Sequence, residues 1–213
     1  MILVALGCAA TQARAQGVRL EASGLAQRVQ YLVRYQGVTE EQTGIWAGGE
    51  ARALLGPLML RVGTVVGTLS GGAAASTERK VRSTTAELGV RAGEWLTVGV
   101  GALVRRFETG AGVTTWGLLG GTVRLAPELG FRGMRAVLEA SAYPVRKSGS
   151  GTSIATASRA EAGVAWAPAH NPLQVRLGYR MERVDFAAPS GGGTARLEQY
   201  RGVVLGLGFA LGR

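Results

Sequence analysis

Beyond a short N-terminal segment, apolar and polar side chains alternate along the chain with a period of two. In the stretch Trp95–Phe107, Leu96, Val98, Val100, Ala102 and Val104 share one face. Thr97, Gly99, Gly101, Leu103 and Arg105 share the other. Leu173, Val175, Leu177, Tyr179 and Met181 oppose Gln174, Arg176, Gly178, Arg180 and Glu182. Near the C-terminus Val203, Leu205, Leu207, Phe209 and Leu211 oppose glycines, Val204 and Ala210. Successive side chains of a strand point to opposite faces, so this alternation predicts half-buried β-strands. Ten segments carry it, at about 18–34, 43–55, 57–69, 81–92, 95–107, 112–126, 133–145, 153–167, 172–186 and 195–211. The first changes phase near Gly24, which predicts a bulge there.

The connections are expected to alternate in length. Gly56-Pro57, Gly93-Glu94, the stretch around Pro127–Arg132 and His170-Asn171 read as shorter turns. Stretches 35–42, 70–80, 146–152 and 187–194 read as longer loops rich in Gly, Ser, Thr and Glu, and the connection near 108–111 is short where a long one is due. An even strand count returns both ends of such a meander to one rim.

The N-terminal segment differs. Ile2–Ala10 is apolar and short, and Ala13-Arg14-Ala15 places small residues at alternate positions before Gln16. This predicts a secretory signal over residues 1–15, cleaved after Ala15, followed by a single domain over 16–213. Leu6-Gly7-Cys8 offers a lipoprotein acceptor as the alternative, at the chain's one cysteine, but the apolar run before it is too short. No later stretch has the roughly 18 or more apolar residues of a spanning helix.

In this pattern the chain from Val18 onward resembles bacterial outer-membrane β-barrels as a class. The resemblance implies an all-β, antiparallel up-and-down transmembrane barrel in the bacterial outer membrane, of ten strands with eight as the alternative. It also implies the barrel-assembly machinery as a partner. Barrels of this class usually end on an aromatic residue that the machinery reads. Here Val203–Leu211 has the right alternation, but Gly212 and Arg213 follow it.

Charge sharpens the picture. The chain carries 24 Lys and Arg against 14 Asp and Glu, a net charge of +10, and its only lysines are Lys80 and Lys147. A basic balance admits nucleic acid, an anionic membrane surface or an acidic ligand, and placement has to choose. With a periplasmic N-terminus, the arginines in lipid-facing phase are Arg82, Arg106, Arg183 and Arg201, each near the outer end of its strand. Arginine facing lipid costs about 2–4 kcal/mol at the midplane and about 0–1 kcal/mol near the interface. Guanidinium also pairs well with phosphate. The expected partners are therefore outer-membrane lipid and lipopolysaccharide phosphates, with no nucleic acid.

The inward faces are read as a charge network of Arg28, Glu50, Arg52, Glu87, Arg91, Glu139, Arg159, Glu161, Arg180 and Glu182, with Arg61 and Arg176 among their neighbours. One reading is a charged lumen that selects ions or holds an anionic ligand. The other is a salt-bridged plug in a barrel too narrow for open water. Mixed signs at mid-height favour the plug.

Little else carries chemistry. His170 is the single histidine, so it cannot form a metal cage, and it sits in a turn at the inner rim. Glutamates flanked by arginines stay ionised and structural more often than they act as acid–base pairs. Gly99-Val100-Gly101 and Gly206-Leu207-Gly208 lack the strand-to-helix setting of a dinucleotide site. Trp46 and Trp116 fall near the outer rim and Trp95 and Trp166 near the inner. Only Trp166 is in lipid-facing phase, a weak aromatic girdle. No enzyme, metal or cofactor is expected. The leading expectation is a structural or surface-interaction barrel. Its rivals are a narrow ion or anion pore, an outer-membrane enzyme, and a secreted anion-binding barrel. The sequence leaves the oligomeric state open.

Overall fold

A computed structural model describes residues 18–71, 78–110, 112–148 (147 and 148 as backbone only), 153–168, 171–188 and 195–211. The expected signal segment, Cys8 and His170 lie outside the described residues. Ten strands follow one another: β1 Val18–Tyr35, β2 Val38–Leu55, β3 Leu58–Ser70, β4 Arg79–Ala92, β5 Leu96–Thr109, β6 Gly112–Leu125, β7 Met134–Ser148, β8 Ile154–Trp166, β9 Leu173–Phe186 and β10 Arg196–Leu211. Each pairs antiparallel with its sequence neighbours, and β10 pairs with β1, so the sheet closes into an up-and-down barrel without free edges. The start of β1 and the end of β10 share one rim, called here the near rim.

One expected loop is a hairpin. Stretch 35–42 is strand on both sides of a two-residue turn, with Tyr35 paired to Val38. Gln36 and Gly37 both take positive φ, 50° and 76°, the sign pattern of the I′ turn that suits twisted strands. The polar run Thr39–Gln42 is strand, paired with Tyr31–Arg34 of β1, and some of its side chains find polar partners. Gln42 donates to Glu40 at 2.8 Å, and Arg79 pairs with Glu40 at 3.4 Å. The expected contrast in connection length is also weaker than the sequence implied. The far rim carries the 36–37 turn and a two-residue link between β5 and β6, while the near rim carries the longer 126–133 connection.

The expected bulge at Gly24 is absent. β1 keeps unbroken register with both neighbours, so Arg28 faces outward and not into the lumen. The apparent phase change has another cause. In the near-rim half of β1 the outward residues are apolar (Leu20, Ala22, Ala26) and the inward ones polar (Arg19, Glu21, Ser23). In the far-rim half this inverts, with Val29, Tyr31 and Val33 inside and Arg28, Gln30 and Arg34 outside. The strand does not change face; its surroundings change. Register shifts do occur elsewhere. One lies on β7 beside Pro144, opposite Leu119 and Gly121, where the missing N–H of proline suits an interrupted ladder. Another lies on β8 between Ile154 and Thr156.

The outer surface explains the inversion. Leu88, Val100 and Leu207 are 55%, 58% and 56% exposed, within an apolar face that runs from β3 round to β10 and continues across β1 and β2 as alanines. Apolar surface on this scale does not face water in a monomeric soluble protein. The face ends at a defined level. Arg28, Arg82, Arg106, Arg183 and Arg201 all point outward, each ten residues from the near-rim end of its strand (Val18, Ala92, Leu96, Leu173 and Leu211 respectively). Below that level no outward strand position is charged. Ten residues at about 3.3 Å each, tilted by about 40°, climb about 25 Å, the height of the apolar band on membrane barrels.

Candidate functional site in the barrel lumen

The inward side chains fill the lumen in two layers. In the near-rim half they form an ion-pair network that crosses the barrel. Arg61 on β3 reaches Glu139 on β7 with two hydrogen bonds, Nη1 to Oε2 at 2.7 Å and Nη2 to Oε1 at 2.8 Å. The same guanidinium touches Glu87 and lies 4.0 Å from Glu50. Thr122 donates to Glu87 at 2.8 Å. Glu139 also faces Arg159 at 3.7 Å. Glu161 serves three arginines: Arg180 at 2.8 Å, Arg159 at 4.0 Å, and Arg176 in close contact. Nearer the rim, Arg52 bridges Glu21 at 2.8 Å and Glu50 at 3.2 Å.

The far-rim half is aromatic and apolar. Tyr31, Trp46, Phe107, Trp116 and Tyr200 are all buried. Tyr31 stacks on Tyr200 with centroids 4.6 Å apart, and Phe107 lies 6.3 Å from both Tyr200 and Trp116. Phe107 comes from β5 and Tyr200 from β10, on opposite walls, so this layer spans the lumen. Between the layers sits Arg105. Its guanidinium carbon lies 4.2 Å from the Tyr200 ring, 5.0 Å from Trp116 and 5.1 Å from Trp46. It also holds Glu182 on β9 through bonds of 2.6 and 3.2 Å. Each desolvated cation–π contact is worth up to about 2 kcal/mol. An arginine packed this way is both paired and clamped.

The expected network therefore divides. Glu50, Arg52, Glu87, Glu139, Arg159, Glu161, Arg180 and Glu182 face inward and form the ion pairs given above. Arg91 faces inward near the rim and makes no ion pair among the described residues. Arg28 belongs outside, beside Arg82, Arg106, Arg183 and Arg201. Two residues matter more than the sequence reading allowed, Arg61 and Arg105. Both sit at inward positions of clear alternation, so phase alone marks them. Their partners are 78 and 77 residues away, a distance alternation cannot bridge. Trp46 and Trp116 point into the lumen, each nine residues from the near-rim end of its strand and so just below the level of the outward arginines. Trp95 and Trp166 are surface residues near the near rim, 54% and 40% exposed.

A closed antiparallel barrel with an apolar outer band, a ring of arginines above it and a charged interior is the fold of a bacterial outer-membrane β-barrel. A solved structure shares it, and others superpose less closely. The outer-membrane protease OmpT of Escherichia coli matches with a TM-score of 0.55 at 7% identity, covering 91% of this chain and 96% of that one. The translocator domain of the autotransporter NalP from Neisseria meningitidis matches with a TM-score of 0.47 at 12% identity over 97% of each chain. Neisserial surface protein A matches with a TM-score of 0.40 at 13% identity, covering 91% and 96%. At 7% identity the likeness to OmpT is one of fold. No protein-family model and no curated protein sequence matches the chain.

Proposed function

We propose that this chain is a closed structural barrel of the outer membrane, with its near rim in the periplasm and its far-rim loops as the surface it offers to partners. One observation carries the reading: the layer of Arg105, Glu182, Trp46, Trp116 and Tyr200 joins β2, β5, β6, β9 and β10 across the lumen at mid-height. A pore for ions needs a continuous wet path, and here the packed rings of Tyr31, Tyr200 and Phe107 lie above a cavity of only about 30 Å³ lined by Trp46, Arg105 and Glu182. No catalytic role is assigned.

The outward arginines support this orientation. Arg82 and Arg106 are direct partners across β4 and β5, where like charges repel unless anions meet them; Glu108 meets Arg106 at 2.9 Å, and Arg82, with no ion pair among the described residues, calls for an anion. Phosphate groups of an outer leaflet rich in lipopolysaccharide supply that anion. Arg28, Arg201 and Arg183 make a second cluster on the adjacent strands β1, β10 and β9. The test is electrical. The full chain, reconstituted into planar bilayers, should show no steady conductance. Large, long-lived channels from the unmodified protein would remove the plug reading and put a pore in its place.

A further inference from the structure

The near-rim end of the lumen is not filled as the far end is. A cavity of about 70 Å³ opens there, walled by Arg52, Arg124, Arg176 and Gln174, by Gly206 and Gly208, and by the carboxylates of Glu21 and Glu50, both held by Arg52. About 10–15 Å³ of such space holds one water, so the cavity has room for a small oxyanion. The glycines keep the β10 wall flat. A Cβ added at Gly206 would meet Leu25 at 3.3 Å and the Arg176 stem at 3.4 Å.

The charges around this cavity do not balance locally. Arg52 is committed to Glu21 and Glu50. Arg176 and Arg180 both depend on Glu161, which lies 4.0 Å from Arg159 as well, although Arg159 also has Glu139 at 3.7 Å. Arg124 has no carboxylate of its own. Its Nη1 is buried and makes no hydrogen bond to any described residue. Arg91, also without an ion pair among the described residues, stands two strands away at the same level: it pairs across β4 and β5 with Thr97, which pairs with Arg124. A buried guanidinium is costly unless its donors are met, and its planar fork fits carboxylate and phosphate oxygens.

We infer that the near-rim vestibule binds a small oxyanion of the phosphate or carboxylate class, with Arg124 as the primary ligand and Arg176 as its partner. The far half of the barrel is closed above it. The vestibule is therefore a blind site, open on one side and suited to holding an anion, not passing it. In the orientation proposed above it opens to the periplasm, but binding itself does not depend on that orientation.

The test uses the full chain refolded in detergent, with inorganic phosphate and acetate as probes. Binding is read by calorimetry and by broadening of the phosphorus resonance. Millimolar phosphate should bind, and Arg124→Gln should weaken it by at least about tenfold, the smaller end of what one charge-assisted hydrogen-bonding pair contributes. Arg176→Gln is the second variant, since Glu161 keeps Arg180 when it is made. Arg34→Gln, on the outer surface, should leave binding unchanged. Repeating the titration in anionic-lipid nanodiscs separates the sources. Binding of free phosphate that persists there points to a solute; binding that lipid competes away points to a headgroup phosphate in the same site. No binding in detergent, or equal binding by wild type and both variants, overturns the assignment, as does a failure of Arg124→Gln to fold, which would make Arg124 structural.

Discussion

Replacing Glu139 by alanine tests whether the lumen network holds the barrel together. Glu139 is buried, and its carboxylate takes both Arg61 donors at 2.7 and 2.8 Å with Arg159 at 3.7 Å. Removing one partner of a buried pair costs about 3–5 kcal/mol, because the other is left charged and dry. Here the low end applies. Arg61 keeps Glu87 and has Glu50 at 4.0 Å, and Arg159 keeps Glu161 at the same distance. The expected loss is about 3 kcal/mol, a factor of about a hundred or more in the folding equilibrium. Trp46 and Trp116, buried inside the lumen, report unfolding by fluorescence. With a urea slope of about 2 kcal/mol per molar, the midpoint should fall by about 1.5 M. The heat-induced shift on a gel should then appear at lower temperature. Glu108→Ala is the control. Its pair with Arg106, at 2.9 Å, is about half exposed on both sides, and exposed pairs contribute about 0–1 kcal/mol. If Glu139→Ala unfolds within about 1 kcal/mol of wild type, the network is not what stabilises the lumen.

Two further outcomes follow from the surface and the topology. Leu88→Arg places a charge inside the apolar band and should cost about 2–4 kcal/mol, whereas Thr115→Arg, level with the arginine ring and paired to Arg106, should cost about 0–1 kcal/mol; equal costs in lipid vesicles would mean the ring does not mark the edge of the membrane. Protease added to intact cells should cut the 71–78 and 149–153 connections before it reaches His170, and first cleavage at His170 would invert the barrel.

Much of the fold was legible in the sequence because lipid on one side and a packed lumen on the other impose a clean period of two. Where reading failed, the environment changed partway along a strand. β1 and β2 extend past the apolar band, so above the arginine ring water replaces lipid outside and aromatics replace charge inside. Polarity then inverts with no change of register. That inversion mimicked a bulge at Gly24, sent Arg28 to the wrong face, and made Thr39–Gln42 look like loop. The outward position of Arg82, Arg106, Arg183 and Arg201 was readable because they sit on strands whose alternation holds all the way to their level. The pairs Arg61–Glu139 and Arg105–Glu182 were not, since each depends on which strands face one another across a closed cylinder.

Those cross-lumen pairs bear on how the barrel forms. Every strand pairs only with its sequence neighbours apart from the β1–β10 seam, so an open sheet could grow hairpin by hairpin through local contacts. The lumen charges cannot be satisfied in that way. Arg61 on β3 needs Glu139 on β7, and Arg105 on β5 needs Glu182 on β9 and the rings of Trp46 on β2 and Tyr200 on β10. An unclosed sheet leaves these guanidiniums facing water or lipid with their partners on distant strands. Closing Leu20–Arg34 onto Leu197–Leu211 brings all of them together at once. The stabilisation is therefore concentrated in the last step, and a barrel built this way should unfold in one transition, with fluorescence of the lumen tryptophans and loss of strand signal by circular dichroism coinciding. A plateau between the two signals would mean that the sheet persists after the lumen opens, and that seam and network are separate units.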